Sequence, residues 1–345
     1  VTHRNPWRSG AITAGLVILT AVLTACQAGP PDRSADVARL ARLLGQMPGV
    51  QTVHHTVANR PAQDLVRFTI DVETEPGITE NQFVAMVSRY LQGLTMVNYT
   101  GYHTELTAHH GSNVFAIDSG RLPLGNDQQI LSQARNWVGL QREFPAATVR
   151  LRATVTHPDG RFPVQEWGHS DVGSIRLADA ADYRDVAAAV STLSEKFADL
   201  ANLTWTISAG DDHPADIKST RRFPTARELD VWKQLNADQA VPHTNKLTIN
   251  GRVQAPVWLA EQTRSHDPAD AAELAQRHLP LVATLGEPTL YTASDQIQGH
   301  ITGSGQATGP ITVTVGGCTA RDLLVYQPPP AEQALVDKYE TCRHP

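Results

Sequence analysis

ADYRDVAAAVSTLSEKFADL (181–200) runs directly into ANLTWTISAG (201–210), and the change of period between them decides the fold class. In the first segment Tyr183, Val186, Val190, Leu193, Phe197 and Leu200 recur at helical spacing, with Asp179 or Asp182 placed to cap the start. In the second, Leu203, Trp205 and Ile207 fall on every other residue, the period of a strand with one buried face. A helix that hides one stripe and a strand that hides one face must bury them against each other, so the unit predicted is a helix packed on a sheet.

The same order recurs on both sides. Upstream, SADVARLARLLGQM reads as a helix with Val37, Leu40, Leu43 and Leu44 on one face. Two strands follow, QTVHHTVANR and LVRFTIDVE, then a helix capped at Thr79 and the strands HTELTAHHG and NVFAID. DQQILSQARNWVGLQREF is helical, followed by the strand VRLRATVTHP and a second strand within residues 164–177. Downstream, TARELDVWKQLNAD is a helix, HTNKLTINGR and APVWLAEQT are strands, and DPADAAELAQRHLPLVATLG is a helix with Asp267 at its cap, Pro268 at its first position and Pro280 expected to kink it or end it early. PTLYTASD and ITVTVGG close the pattern as strands. The predicted class is α+β: tandem small α/β sandwich units with mainly antiparallel sheets and helices on one face. The predicted division is 34–120, 121–221 and 222–345, with one or two larger mixed units as the alternative.

The N-terminus has a different character. VTHRNPWRSG carries Arg4 and Arg8 and no acid, residues 11–23 are almost wholly apolar or small, and LTAC occupies 23–26. The apolar run is short for a span, which needs roughly 20 residues. A positive segment, a short apolar segment and small residues before a cleavage point make a secretory signal. Leu23-Thr24-Ala25-Cys26 resembles the lipobox of bacterial lipoproteins. The resemblance covers residues 1 to about 30 and implies that 1–25 is a signal peptide, that Cys26 carries palmitate and other acyl chains, and that 26–33 is a flexible tether. It also implies a chain held by lipid on the outer face of the cell membrane.

Composition agrees with an extracytoplasmic folded body. The chain has 345 residues, 19% charged and 41% hydrophobic, and loss of 1–25 moves its formal charge from −6 to −8. An acidic balance argues against a nucleic-acid partner. Two cysteines remain beyond Cys26. Cys318 and Cys342, 24 positions apart and without a CxxC neighbour, are expected to form a disulfide closing the C-terminal tail.

Chemistry is harder to find. Fourteen histidines invite a metal reading, and the weak candidates are His54, His103 and His109, with His55 and His110 beside them. Adjacent strand residues face opposite ways, so each pair offers one ring to a shared site, and only if those strands are neighbours. EWGHSDVGS sets Trp167 and His169 in a polar hairpin, where an exposed indole could bind a sugar or a partner. Trp137, Trp205, Trp232 and Trp258 lie in periodic runs and read as core. No HExxH, GxSxG or phosphate loop is present. The expectation is therefore a membrane-anchored lipoprotein with a non-catalytic binding or envelope-associated role. No cofactor is implied, and the partner is an envelope protein, a glycan or a small ligand. The alternative is a secreted hydrolase or metal-binding protein whose site combines histidines and carboxylates of separate strands.

Overall fold

The computed structural model describes residues 29–119, 127–153, 172–251, 255–286, 288–296, 309–321, 324 and 326–342. Cys26, Trp167 and His169 lie outside them. In chain order the elements are α1 (Ser34–Gly45), β1 (Val50–Arg60), β2 (Leu65–Thr74), α2 (Glu80–Met96), β3 (His103–His110), β4 (Asn113–Asp118), α3 (Asp127–Glu143), β5 (Thr148–Ala153), β6 (Val172–Arg176), α4 (Tyr183–Lys196), β7 (Thr204–Ser208), β8 (Asp216–Thr220), α5 (Ala226–Ala237), β9 (His243–Ile249), β10 (Val257–Thr263), α6 (Pro268–Val282), β11 (Thr289–Ser294), β12 (Ile311–Val315) and α7 (Pro330–Tyr339).

One helix and two strands therefore alternate along the described residues, and the strands follow one another in chain order in a large mixed sheet flanked by helices. The repeating step is half the length that the sequence pattern predicts, and β8, DIKST, and α7 are elements the pattern does not mark. The buried alternate residues of β8 are Ile217 and Ser219, and a single large apolar side chain is too little to stand out as a strand. The sheet is mixed, with antiparallel and parallel pairs nearly alternating. β1/β2, β5/β6, β7/β8, β9/β10 and β11/β12 pair antiparallel, whereas β2/β3, β6/β7, β8/β9 and β10/β11 pair parallel across a helix. A short turn can join only antiparallel neighbours, and an intervening helix is the length of connection that a parallel pair needs.

The chain divides into two compact units. The first contains residues 29–110, 116–119 and 127–131. Here Phe68, Ile70 and Val72 of β2, Leu106 of β3, and Phe83, Met86, Val87 and Tyr90 of α2 are all fully buried. Thr79 caps α2 reciprocally with Gln82. Val37, Leu40 and Leu44 of α1 are buried as the stripe requires, but Leu43 is 45% exposed.

The second unit contains residues 111–115, 132–153 and 172–342. Its α4 follows the quoted stripe: Val186, Val190 and Leu193 are fully buried, Phe197 and Leu200 nearly so. Asp182, not Asp179, is the cap, accepting from Arg184 N while Asp185 reaches back to Asp182 N. Trp205 is fully buried with its indole N–H on Leu200 O at 2.9 Å. Its partner across the ladder is Gly173, where an added Cβ would stand 2.6 Å from the ring, so the glycine makes room for the indole. Pro280 does not break α6: the helix runs two residues further and passes into a 3₁₀ turn, Ala283–Leu285. So near the C-terminus the proline removes little of the hydrogen-bond ladder.

The outer edge of β12 is covered by side chains and by the tail. Glu332 Oε1 accepts from Thr312 N and Glu340 Oε1 from Thr314 N, while Arg321 donates to Thr312 O. These bonds satisfy backbone groups that would otherwise template another strand. The disulfide Cys318–Cys342, with Cα atoms 5.4 Å apart, staples this tail in place, as expected.

Candidate metal centre

Five inward-facing positions on β9, β10 and α6 of the second unit carry polar residues where the pattern demands apolar ones. On β9 the inward-facing set is His243, Asn245, Leu247 and Ile249; on β10 it is Val257, Leu259, Glu261 and Thr263; on α6 the buried set is Ala271, Leu274, Ala275, His278, Leu279 and Val282. Cross-strand register places Asn245 directly opposite Glu261 and His243 opposite Thr263. Tyr291 of β11 stands beside Leu259, one step diagonally from Glu261, and reaches it past the small Ala293. His278 descends onto the same spot from the helix above.

Glu261 has no exposed surface, so its oxygens must find every partner within the protein. Asn245 Nδ2 donates to Oε1 at 2.8 Å, His278 Nδ1 lies 2.9 Å from Oε1 and 2.8 Å from Oε2, and the Tyr291 hydroxyl donates to Oε2. Burial and the adjacent carboxylate push the Tyr291 phenol well above its ordinary range, which keeps it a donor.

His243 is held differently. Its Nδ1 lies 2.8 Å from Val241 O, so that nitrogen carries the proton and Nε2 carries the lone pair. That Nε2 is buried, has no hydrogen-bond partner, and points at Glu261 Oε1 from 3.5 Å. The two imidazoles meet edge to face, with centroids 5.3 Å apart. On its other side His278 Nε2, also without a hydrogen bond, is 3.6 Å from Asp238 Oδ2. The Arg277 guanidinium, donating to Asp238 at 2.7 and 3.1 Å, holds that carboxyl below the usual range.

Donor atoms of His243, Glu261 and His278 lie within 4.8 Å of one another, the one such set among the described residues. Zinc held at ~2.0 Å by nitrogen and oxygen has tetrahedral ligand atoms about 3.3 Å apart. The observed separations of 3.5 and 2.8 Å bracket that value. A backbone carbonyl fixing one nitrogen of a histidine, with the other left bare, is the usual outer support of a metal ligand.

The histidines singled out by sequence are dispersed in the first unit. β2 lies between β1 and β3, and His54 sits opposite Asp71, His103 opposite Arg67 and His109 opposite Glu73, three different rows. His54 is exposed, and His103 Nε2 pairs with Asp118 Oδ1 at 2.5 Å. His103 and His109 are six residues apart on one strand, about 20 Å. The register does not bring the three together. Trp137, Trp205 and Trp232 are core as expected, but Trp258 is half-buried and lines an open cleft.

No protein-family model, curated protein or solved structure matches this chain.

Proposed function

We propose that the chain is a metal-binding protein of the zinc class, with His243 Nε2, the Glu261 carboxylate and His278 Nδ1 as its ligands. The observation that carries this is the bare, fully buried Nε2 of His243, aimed at a carboxylate and already locked in the tautomer a metal requires. It corrects the expectation of a non-catalytic binding or envelope-associated role, because that reading had no use for a buried His–Glu–His cluster. Two neutral imidazoles and a carboxylate are the ligand types that zinc selects. To bind through Nδ1, His278 gives up the proton it shares with Glu261 and carries its proton on Nε2, which faces Asp238.

A second reading, hydrolysis, is favoured by one feature. Two histidines and a glutamate leave a fourth tetrahedral position, and His243 borders a cleft of about 270 Å³ lined also by Tyr183, Asn236 and Arg264. A water taking that fourth position would be acidified by a bound metal, and the cleft is the route by which a small substrate would approach.

The test is metal content and equilibrium dialysis against zinc. The expected result is one equivalent per chain, with affinity lowered by about 100-fold in His243→Ala and His278→Ala and by about tenfold in Asp238→Asn. Absence of saturable zinc binding by the folded wild-type chain would overturn the assignment.

The lipobox reading supports a companion proposal. Cys26 is the lipidated residue, and the body is tethered outside the cell membrane by its acyl chains. No helix among the described residues is long and apolar enough to cross a membrane. The regular alternation of one helix with two strands supports reading 34–120, 121–221 and 222–345 as tandem small sandwich units.

A further inference from the structure

The chain enters the first unit already fastened to it. Asn59 Nδ2 donates to Pro30 O at 3.1 Å, and the Tyr102 hydroxyl donates to Pro31 O at 3.0 Å. Gly29 passes so close to Pro61 that an added Cβ would clash with the ring. Pro30 lies 3.4 Å from the place that a Cβ on Gly101 would take, and Gly101 has φ +88°, a conformation that favours glycine. The loop before β3 is shaped around the proline. Arg60 ends β1 opposite Leu65, the first residue of β2, and His103 opens β3 beside Arg67. The docking contacts thus fall at one end of the unit's sheet, where β1 ends and β2 and β3 begin.

Cys26 stands four residues before Pro30, at most about 14 Å of extended chain. A body of about 100 residues has a radius of gyration of about 13 Å. An anchor at Cys26 therefore leaves the unit no room to stand clear of the surface that holds it, and the end carrying Pro30 lies against that surface. The composition of this end fits. Met96, the last residue of α2, is 78% exposed, more than any other large apolar residue described in the first unit. Residues 97–102 run from it to the loop that receives Pro30, and Val97, Tyr99 and Tyr102 line a cavity of about 400 Å³ with Leu91 and Leu94. Charge is nearly balanced: Arg33 and Arg39 both pair with Asp36, and Arg60 has Asp64 four positions on in the same exposed turn. An exposed apolar side chain on a surface without a large net charge suits a lipid interface.

We propose that this end of the first unit rests on the bilayer, with Met96 inserted at the boundary between headgroups and acyl chains. The proposal rests on the reading of Cys26 as the lipidated residue. The partner is the lipid surface itself, zwitterionic or anionic, because no excess of one charge selects between them. The anchor supplies proximity, and the docked residues 29–31 with Met96 supply a fixed orientation.

The acylated chain in vesicles of phosphatidylcholine bearing a diazirine near the headgroup tests this. Photolysis and peptide mapping should place lipid adducts on Met96 and its neighbours. Glu75, exposed just past the far end of β2 and about 30 Å away, should carry none. Met96→Asp is a surface change and should cut the adducts at this end by about fivefold or more, because a carboxylate does not enter the acyl boundary. Added phosphatidylglycerol should alter neither result. Palmitate on Cys26 is measured in the same sample, so failure of the lipobox reading is seen by itself. In that case the Cys26 thiol is coupled to maleimide-bearing phosphatidylethanolamine in the same vesicles, and the same adducts are expected. No adduct at Met96, whether it is bare or covered by a second copy, or equal adducts at Met96 and Glu75, would overturn the assignment.

Discussion

Glu261→Gln isolates the carboxylate at the centre of the cluster, since glutamine has the same shape and no charge. In the metal-free protein three donors converge on Glu261: Asn245 Nδ2 and His278 Nδ1 at 2.8–2.9 Å, and the Tyr291 hydroxyl. A glutamine offers one oxygen and one NH₂. If the NH₂ takes the place of Oε1, it opposes the Asn245 amide; if it takes the place of Oε2, the Tyr291 hydroxyl can turn round and accept, so this orientation is favoured. His278 is then left with one neutral acceptor where it had a shared carboxylate. A hydrogen bond to a charged group contributes ~1.5–3 kcal/mol and an unsatisfied buried partner costs ~1–3 kcal/mol. The loss should be about 3 kcal/mol, equivalent to a fall in melting temperature of roughly 6–12 °C for a unit of this size. Thermal unfolding in chelator, followed by tryptophan fluorescence, measures it. Gln262→Ala, on the exposed side of the same strand, is the control and should change stability by less than about 0.5 kcal/mol. If Glu261→Gln melts within about 1 °C of wild type, the carboxylate does not bind these three donors together, and the ligand geometry derived from them fails with it.

Other outcomes follow from the same structure. Val190→Asp sets an unpaired charge in the fully buried stripe of α4 and should cost several kcal/mol, whereas Ser191→Asp, exposed, should stay within about 0.5 kcal/mol. Hydrogen exchange on Val190→Asp should show protection lost in β7–β10 and kept in β2 and β3; simultaneous loss in both would mean one cooperative unit. Reducing Cys318–Cys342 should lower stability by about 2–4 kcal/mol and loosen α7 first, and finding both thiols free in protein from the envelope would contradict the staple. Cys26→Ala should abolish palmitate incorporation, and equal labelling of mutant and wild type would exclude the lipobox reading.

The local elements were legible in the sequence because each carries its own period and punctuation. The stripe from Val186 to Leu200, the alternation of Trp205 and Ile207, and the caps at Thr79 and Asp267 are properties of neighbouring residues and needed nothing from elsewhere in the chain. β8 fails that test because its two buried alternate residues are Ile217 and Ser219, only one of them apolar, whereas β7 has Trp205 and Ile207. The centre left a signal of another kind: Glu261 falls in phase with Val257 and Leu259, His243 and Asn245 with Leu247, and His278 with Leu274 and Ala275, so each breaks an apolar stripe at an inward position. The histidines densest in the sequence, His54 to His110, are scattered by strand register over separate rows. Proximity along the chain has no bearing on which side chains share a pocket. Residues 243, 261 and 278 meet only because β9 and β10 pair with Asn245 against Glu261 and α6 lays its buried face across them, and both are decisions of tertiary packing.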